Sequence, residues 1–166
     1  SPVPVINDLT YQYNFTNEGG VNGTYRLLRN VMGLWLLQQA RSAWEKAGHT
    51  YNSAELAALA ASATPFRSLV DPDSPSLFNP SNMVEAIQNF CQHTEQPVPQ
   101  TPDEIVRTIL DSLALKYWWV IERLEEITGE KLTTIHVIGG GCRNRELCQA
   151  TANATGRRVI AGPIEA

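Results

Sequence analysis

Three consecutive glycines, Gly139, Gly140 and Gly141, stand between an apolar run ending at Ile138 and the polar stretch Cys142-Arg143-Asn144, which opens into a helical pattern. Glycines are costly in backbone entropy, so three at a strand-to-helix corner call for a reason. One reason is a ligand that approaches the backbone closely. The N-terminus of the following helix offers unpaired N–H groups and a partial positive charge to an anion or polar group. The other reason is close helix–strand packing with no ligand at all. The two common phosphate fingerprints fail. In G-x-G-x-x-G, Gly139 and Gly141 fit, but Asn144 stands at the third glycine, and Ala161-Gly162-Pro163 stands where an acidic residue should end the second strand. The pattern G-x-x-x-x-G-K-[ST] is absent. A glycine corner of some other nucleotide-binding fold remains, beside the packing account.

Other residues with chemical potential are weaker. Asn30 and Gln38 are polar positions in an otherwise apolar helical pattern, about 12 Å and about 80° apart on such a helix. They suit one flank of an elongated ligand, or equally a polar edge facing water. His136, Cys142 and Cys148 raise the question of metal, but a strand, a corner and a helix do not provide C-x-x-C geometry. Cys142, near a helix N-terminus, has the setting for a lowered thiol pKa, with no histidine partner in evidence. His49 and His93 fall near helix ends. Trp118-Trp119 sits on the strongest apolar stripe and reads as core plus flank. Arg26 and Arg29 read as a solvated face. No Ser/His/Asp arrangement and no carboxylate in a general-base position appears.

The elements that must position these residues follow from periodicity. Residues 1–18 form an irregular lead-in, with at most one edge strand. Thr24 to Ala47 reads as a helix through Leu28, Val31, Met32, Trp35, Leu36 and Trp44, stopped by Gly48. Asn52-Ser53-Ala54-Glu55 reads as a capping box for a short helix to Ser62. Residues 64–80, with four prolines, form a loop long enough to be functional or to pack against something outside this chain. Asn79-Pro80 opens a helix to Thr94, with Met83, Ile87 and Phe90 inward. Thr101-Pro102-Asp103-Glu104 combines an N-cap, a first-turn proline and a capping-box glutamate, and this helix runs to Thr128 before Gly129. A strand (Thr134 to Ile138), the glycine corner, a helix (Asn144 to Thr155), Gly156 and a strand (Arg158 to Ala161) make a βαβ unit with parallel strands and a right-handed crossover.

The expected class is α/β, helix-rich with a short mixed or parallel sheet. A parallel sheet needs more neighbours and cover on both faces, and the chain starts abruptly and stops at Ala166 after its last strand. The 166 residues therefore read as a fragment of a larger α/β protein. The net charge of −4 and scattered cations argue against a nucleic-acid or membrane surface. No apolar run reaches the length of a membrane span. Three cysteines without a disulfide framework fit a reducing, cytoplasmic setting, so the three Asn-x-Thr triplets are read as chance.

Four segments carry a family resemblance: Thr16-Asn17-Glu18-Gly19-Gly20; Tyr25 through Gln38; Asp111-Ser112-Leu113-Ala114-Leu115; and Gly139 through Asn144 together with Arg158 through Pro163. With them, essentially the whole chain resembles the C-terminal half of the FGGY-family carbohydrate kinases. The first two segments are most similar to the branch that acts on L-rhamnulose. The resemblance implies two actin-like (ribonuclease-H-like) domains around a cleft, with the present segment belonging to the nucleotide-binding C-terminal one. It implies transfer of the ATP γ-phosphoryl, with Mg²⁺, to the 1-hydroxyl of L-rhamnulose. Positions matching the family's ATP-binding residues are Asn30, Gln38 and Gly140, with adenine or ribose over the corner of Gly139, Gly140 and Gly141, beside Asn144. In this family the catalytic aspartate and the phosphate-holding hairpin lie upstream, and none of Asp8, Asp71, Asp73, Asp103 or Asp111 matches that base. The segment alone is therefore expected to be inactive, its native partner being the remainder of its own chain. Some relatives pair cysteines in the helical region; Thr108 stands where a partner for Cys91 would be, so no such disulfide is implied. Alternatives are an FGGY kinase for fuculose or xylulose, or a helical interaction module whose glycines serve packing only.

Overall fold

The computed structural model describes residues 1–164; Glu165 and Ala166, including the expected stop after the last strand, lie outside the described residues. Its regular elements are α1 (Asp8–Gln12), β1 (Thr16–Gly19), β2 (Tyr25–Leu28), α2 (Trp35–Lys46), α3 (Ser53–Ser62), α4 (Met83–His93), α5 (Pro102–Thr128), β3 (Thr134–Val137), α6 (Arg145–Thr155) and β4 (Arg158–Ala161). β1 and β2 form an antiparallel hairpin; β3 and β4 form a separate parallel pair, with Thr134 opposite Arg158 and Val137 opposite Ala161. The expected βαβ unit is therefore present.

The core is helical. Ile105, Val106, Ile109, Leu110 and Leu113 of α5 are buried together with Leu36, Leu37 and Ala40 of α2, Leu56 and Ala60 of α3, and Met83, Ile87 and Cys91 of α4. The local signals account for most boundaries. Asn52 and Glu55 close a reciprocal capping box on α3. Gly129, at φ +71°, ends α5 in the left-handed conformation that glycine adopts without a Cβ penalty.

Four expectations need correction. The helix over Thr24 to Ala47 is not continuous: its first part is β2, and α2 begins only at Trp35. Asn22 and Gly23 both have positive φ (55° and 70°) and turn the chain into the hairpin. That is the conformation an Asn-Gly pair favours between strands, and it overrides the three- and four-residue apolar spacing downstream. Glu18 lies directly opposite Arg26 in the ladder and pairs with it at 3.1 Å.

The second correction is Arg29, which is not on a solvated face. It donates to the Tyr13 carbonyl, pairs with Asp73 at 3.4 Å and lies over the Trp119 ring at 4.9 Å. Asp73 also accepts from Lys116 at 2.9 Å and from the Met32 N–H at 3.2 Å. Burial raises its carboxyl pKa, but these donors outweigh burial and hold it below the usual range.

Third, residues 64–80 pack onto this chain itself. Val70, Pro72 and Leu77 are buried, the Val70 N–H donates to Ser112 Oγ at 2.9 Å, and the Phe66 N–H donates to Asp111 at 2.7 Å. Last, two helix starts differ. Asn82 rather than Asn79 caps α4. Thr101 makes no side-chain cap on α5, where Glu104 accepts instead from the Gln100 N–H at 2.7 Å.

Candidate functional site

The glycine corner hangs between β3 and α6, and a polar network at the far end of α5 anchors that unit. Arg157, immediately before β4, donates to the Leu132 carbonyl at 2.7 Å and to Glu122 and Glu125 of α5 at 2.8 Å each. Glu125 also accepts from Lys131 at 2.7 Å and from the Leu132 N–H at 2.8 Å. The Lys131 hydrogen bond, then the Leu132 N–H and Arg157, hold the Glu125 carboxyl down to about 2. One carboxylate thus ties α5 to the segments that lead into both strands of the βαβ unit. Leu147, Ala150 and Thr151 bury the inner face of α6.

At the corner the chain does not pass directly from strand to α-helix. Gly139–Arg143 form a 3₁₀ turn, and α6 starts at Arg145. Asn144 is its N-cap, with Oδ1 accepting from the Leu147 N–H at 2.9 Å. The expectation that the glycines open directly onto an unpaired helix N-terminus is therefore corrected: Asn144 intervenes and satisfies one of those donors. Gly139 has φ +74° and donates its N–H to the Pro163 carbonyl at 3.1 Å, so the turn requires glycine there for conformation.

Gly140 is different. It lies outside the left-handed region, and a Cβ built on it would meet nothing within 4 Å. At Gly141 the nearest neighbour of such a Cβ would be Val137 Cγ1, at an ordinary 3.9 Å. Close packing therefore demands none of the three glycines. Gly140 leaves an open approach to the backbone.

That opening borders two cavities, both touched by Leu34, Gln38 and Gly140. The smaller, about 210 Å³, has an apolar floor of Leu34, Leu37, Leu56, Val106 and Leu110, with Arg41, Ser53, Arg143 and Asn144 around it. The larger, about 600 Å³, is bordered by Tyr117, His136, Gly141, Cys148 and Thr151 among others. Gln38 is exposed on α2, one residue beyond the buried Leu37.

Among the residues singled out in the sequence, Gln38, Gly140, Gly141 and Asn144 are thus brought around one opening. Gly139 shapes the turn without lining either cavity. Asn30 is exposed in the segment between β2 and α2 and lines neither cavity; with no helix joining it to Gln38, the expected 12 Å helical flank does not exist.

Arg41 and Arg143 are the residues that sequence reasoning missed. A signal was available for each: Arg41 is one turn beyond Gln38 on α2, and Arg143 follows the glycines within the turn. The thiols offer no reactive nucleophile. Burial pushes the Cys148 thiol pKa up, with neighbouring Cys142 adding to the effect, and Cys142 itself is buried before the N-cap. Among the described residues no group of three His, Cys, Asp or Glu side chains could hold a metal ion, and no helix is long and apolar enough to cross a membrane. Asp111, buried and paired with Arg107 at 2.7 Å, braces the Phe66 backbone instead of facing a cavity.

The structure is a helix-rich α/β domain with an open glycine turn beside two cavities, and sequence comparison assigns its family. All of residues 1–166 match the C-terminal domain of the FGGY family of carbohydrate kinases. Rhamnulokinases from Bacteroides thetaiotaomicron, Enterobacter sp. (strain 638) and Enterococcus faecalis are 49%, 43% and 43% identical to it, over 98%, 100% and 99% of the chain. The chain covers 33% of each of these relatives, about a third of their length. The chain belongs to the FGGY family of carbohydrate kinases. Its fold is that family's ribonuclease-H-like, actin-like ATPase fold.

Proposed function

We propose that this segment is the nucleotide-binding part of an ATP-dependent sugar kinase whose full chain phosphorylates the 1-hydroxyl of L-rhamnulose. The observation that carries the nucleotide reading is Gly140. It is exposed, conformationally ordinary and free of any neighbour that a side chain would strike, yet it stands where two cavities meet. A glycine kept for a passing ligand has these properties; one kept for packing does not. The sugar reading rests on the family and on its rhamnulokinase relatives.

Within this reading the division of labour follows from the residues. Gly140 lets the nucleoside lie against the backbone, Gln38 supplies an amide on the opposite wall, and Asn144 has its N–H₂ group free because its oxygen caps α6. Gly139 sets the turn, and Gly141 borders the larger cavity. When bound, ATP supplies the transferable phosphoryl. Such transfer depends on positioning and on charge neutralisation around the phosphates, and the described residues of this chain place neither a metal cluster nor a free carboxylate beside the cavities. In this reading the base for the attacking hydroxyl belongs to the remainder of the full chain, the segment spanning about a third of its relatives' length, and the segment alone binds nucleotide weakly and turns over nothing.

The test uses the full-length protein with ATP and Mg²⁺ against L-rhamnulose, L-fuculose and D-xylulose, with Gly140→Val alongside. Overpacking of about 1–3 kcal/mol raises the Kd for ATP roughly 5- to 150-fold, with melting behaviour unchanged. If no ketose is phosphorylated, the kinase reading is wrong. Preference for another ketose overturns the sugar alone. Unchanged ATP affinity in a folded Gly140→Val protein returns the corner to packing.

A further inference from the structure

We propose that Arg41 and Arg143 clamp the base of the bound nucleotide, closing over its ring with their guanidinium planes. This rests on the nucleotide reading above and names residues to which that reading gives no role. Among the described residues, Arg26, Arg29, Arg67, Arg107, Arg123 and Arg157 all enter ion pairs. Arg41, Arg143, Arg145 and Arg158 enter none among the described residues, and two of them, Arg41 and Arg143, line a cavity. They line the same one, from two different elements, and no carboxylate shares it with them. Two exposed cations that line one cavity without a counter-charge there are available to something outside the chain.

The chemistry of the cavity selects which part of a nucleotide that is. Its volume of about 210 Å³ is below the several hundred Å³ typical of a site enclosing a drug-sized molecule, so it houses one end of the nucleotide. Its floor is aliphatic, which suits the face of a planar ring and does not suit a triphosphate. The α6 N-terminus, the natural phosphate site, is already capped by Asn144. The polar groups around the cavity are the Arg41 and Arg143 guanidiniums, the Gln38 and Asn144 amides and the Ser53 hydroxyl. The guanidiniums lie against the face of the ring, which leaves the amides and the hydroxyl for the donors and acceptors along its edge. Arginine is also the cation that stacks on aromatic faces, through a planar group that lysine lacks.

The decisive experiment measures ATP and ADP affinity by calorimetry for the full-length protein and its Arg41→Ala, Arg143→Ala, Arg41→Lys and Arg143→Lys variants. Thermal melting of each variant provides the folding control. The clamp predicts that each alanine variant loses about two- to thirtyfold, equally for ATP and ADP, and that lysine does not restore the loss. Affinities unchanged in the alanine variants mean that both arginines are solvated surface, and the proposal fails. A loss larger for ATP than for ADP, or one that lysine repairs, assigns them to phosphate and also overturns it. If the unmutated protein binds neither nucleotide, the nucleotide reading itself falls, which is a separate result.

Discussion

Ile109 on α5 and Gly140 at the corner stand at opposite ends of the packing scale. Ile109 is wholly enclosed by helices and by the long 64–80 segment. Gly140 touches nothing that a side chain would displace. The difference runs through the two regions they represent. The helical half closes on itself: Leu36, Leu77, Met83, Ile87 and Ile109 are all at most 1% exposed. The βαβ unit packs α6 against α5 through the buried Leu147, Ala150 and Thr151 and adds a polar anchor at Glu125 and Arg157, yet it leaves Ile138, just past β3, 61% exposed. The same α5 serves both regions. Its first half, from Ile105 to Ala114, lies in the core, while its second half carries the anchor and the exposed Trp118. One region supplies stability and the other supplies an opening, with a single helix transmitting position between them.

The largest expected effect tests the closed half. Ile109→Ala removes buried methyl groups where neighbours cannot collapse, so it should cost about 2–5 kcal/mol, read as a lowered urea midpoint by tryptophan fluorescence of the full-length protein. A cost below about 1 kcal/mol would mean that the helical half is plastic and that the contrast drawn above is false. A smaller effect belongs to the corner. Gly139→Ala forces a Cβ into the left-handed region and should cost about 1–2 kcal/mol, measured in the same way. The change adds no clash, since a Cβ there meets nothing within 4 Å. A neutral result would show that the turn relaxes, and that Gly139 and Gly140 differ less than their backbones do.

The closed half was the more legible of the two in the sequence, because its boundaries are written locally. The Asn52–Glu55 box, Pro102 in the first turn of α5 and Gly129 after it are short-range signals, and the structure respects them. The hairpin was hidden because Leu28, Val31, Met32 and Trp35 mimic a helix stripe, while the Asn22-Gly23 turn that decides the matter occupies only two positions. The packing of residues 64–80 could not be read locally at all: the partners of Phe66 and Val70 are Asp111 and Ser112, more than forty residues away. At the site, Gly140 and Gln38 stood out because glycine and amide are unusual in their settings. Arg41 and Arg143 did not, since an arginine on an exposed helix or turn reads as solvation until a cavity is seen behind it. The helical spacing of Asn30 and Gln38 failed for the same reason as the hairpin, the helix supposed to join them being absent.

The smallest effect is the sharpest test of the comparison, because its sign is opposite. Gly140 lies outside the left-handed region and has open space at its Cβ position. Alanine therefore fits the native backbone while restricting the unfolded chain, which should stabilise the protein by about 0.4–1 kcal/mol. If the nucleoside lies against the Gly140 backbone as proposed, the same methyl group should weaken ATP binding. Stability and affinity then move in opposite directions for a single substitution. A glycine serving packing cannot show that pair of responses, since removing it would lower stability first. If Gly140→Ala instead destabilises the protein and leaves nucleotide affinity alone, the corner belongs with the closed half, and the opening beside it has no bearing on ligand binding.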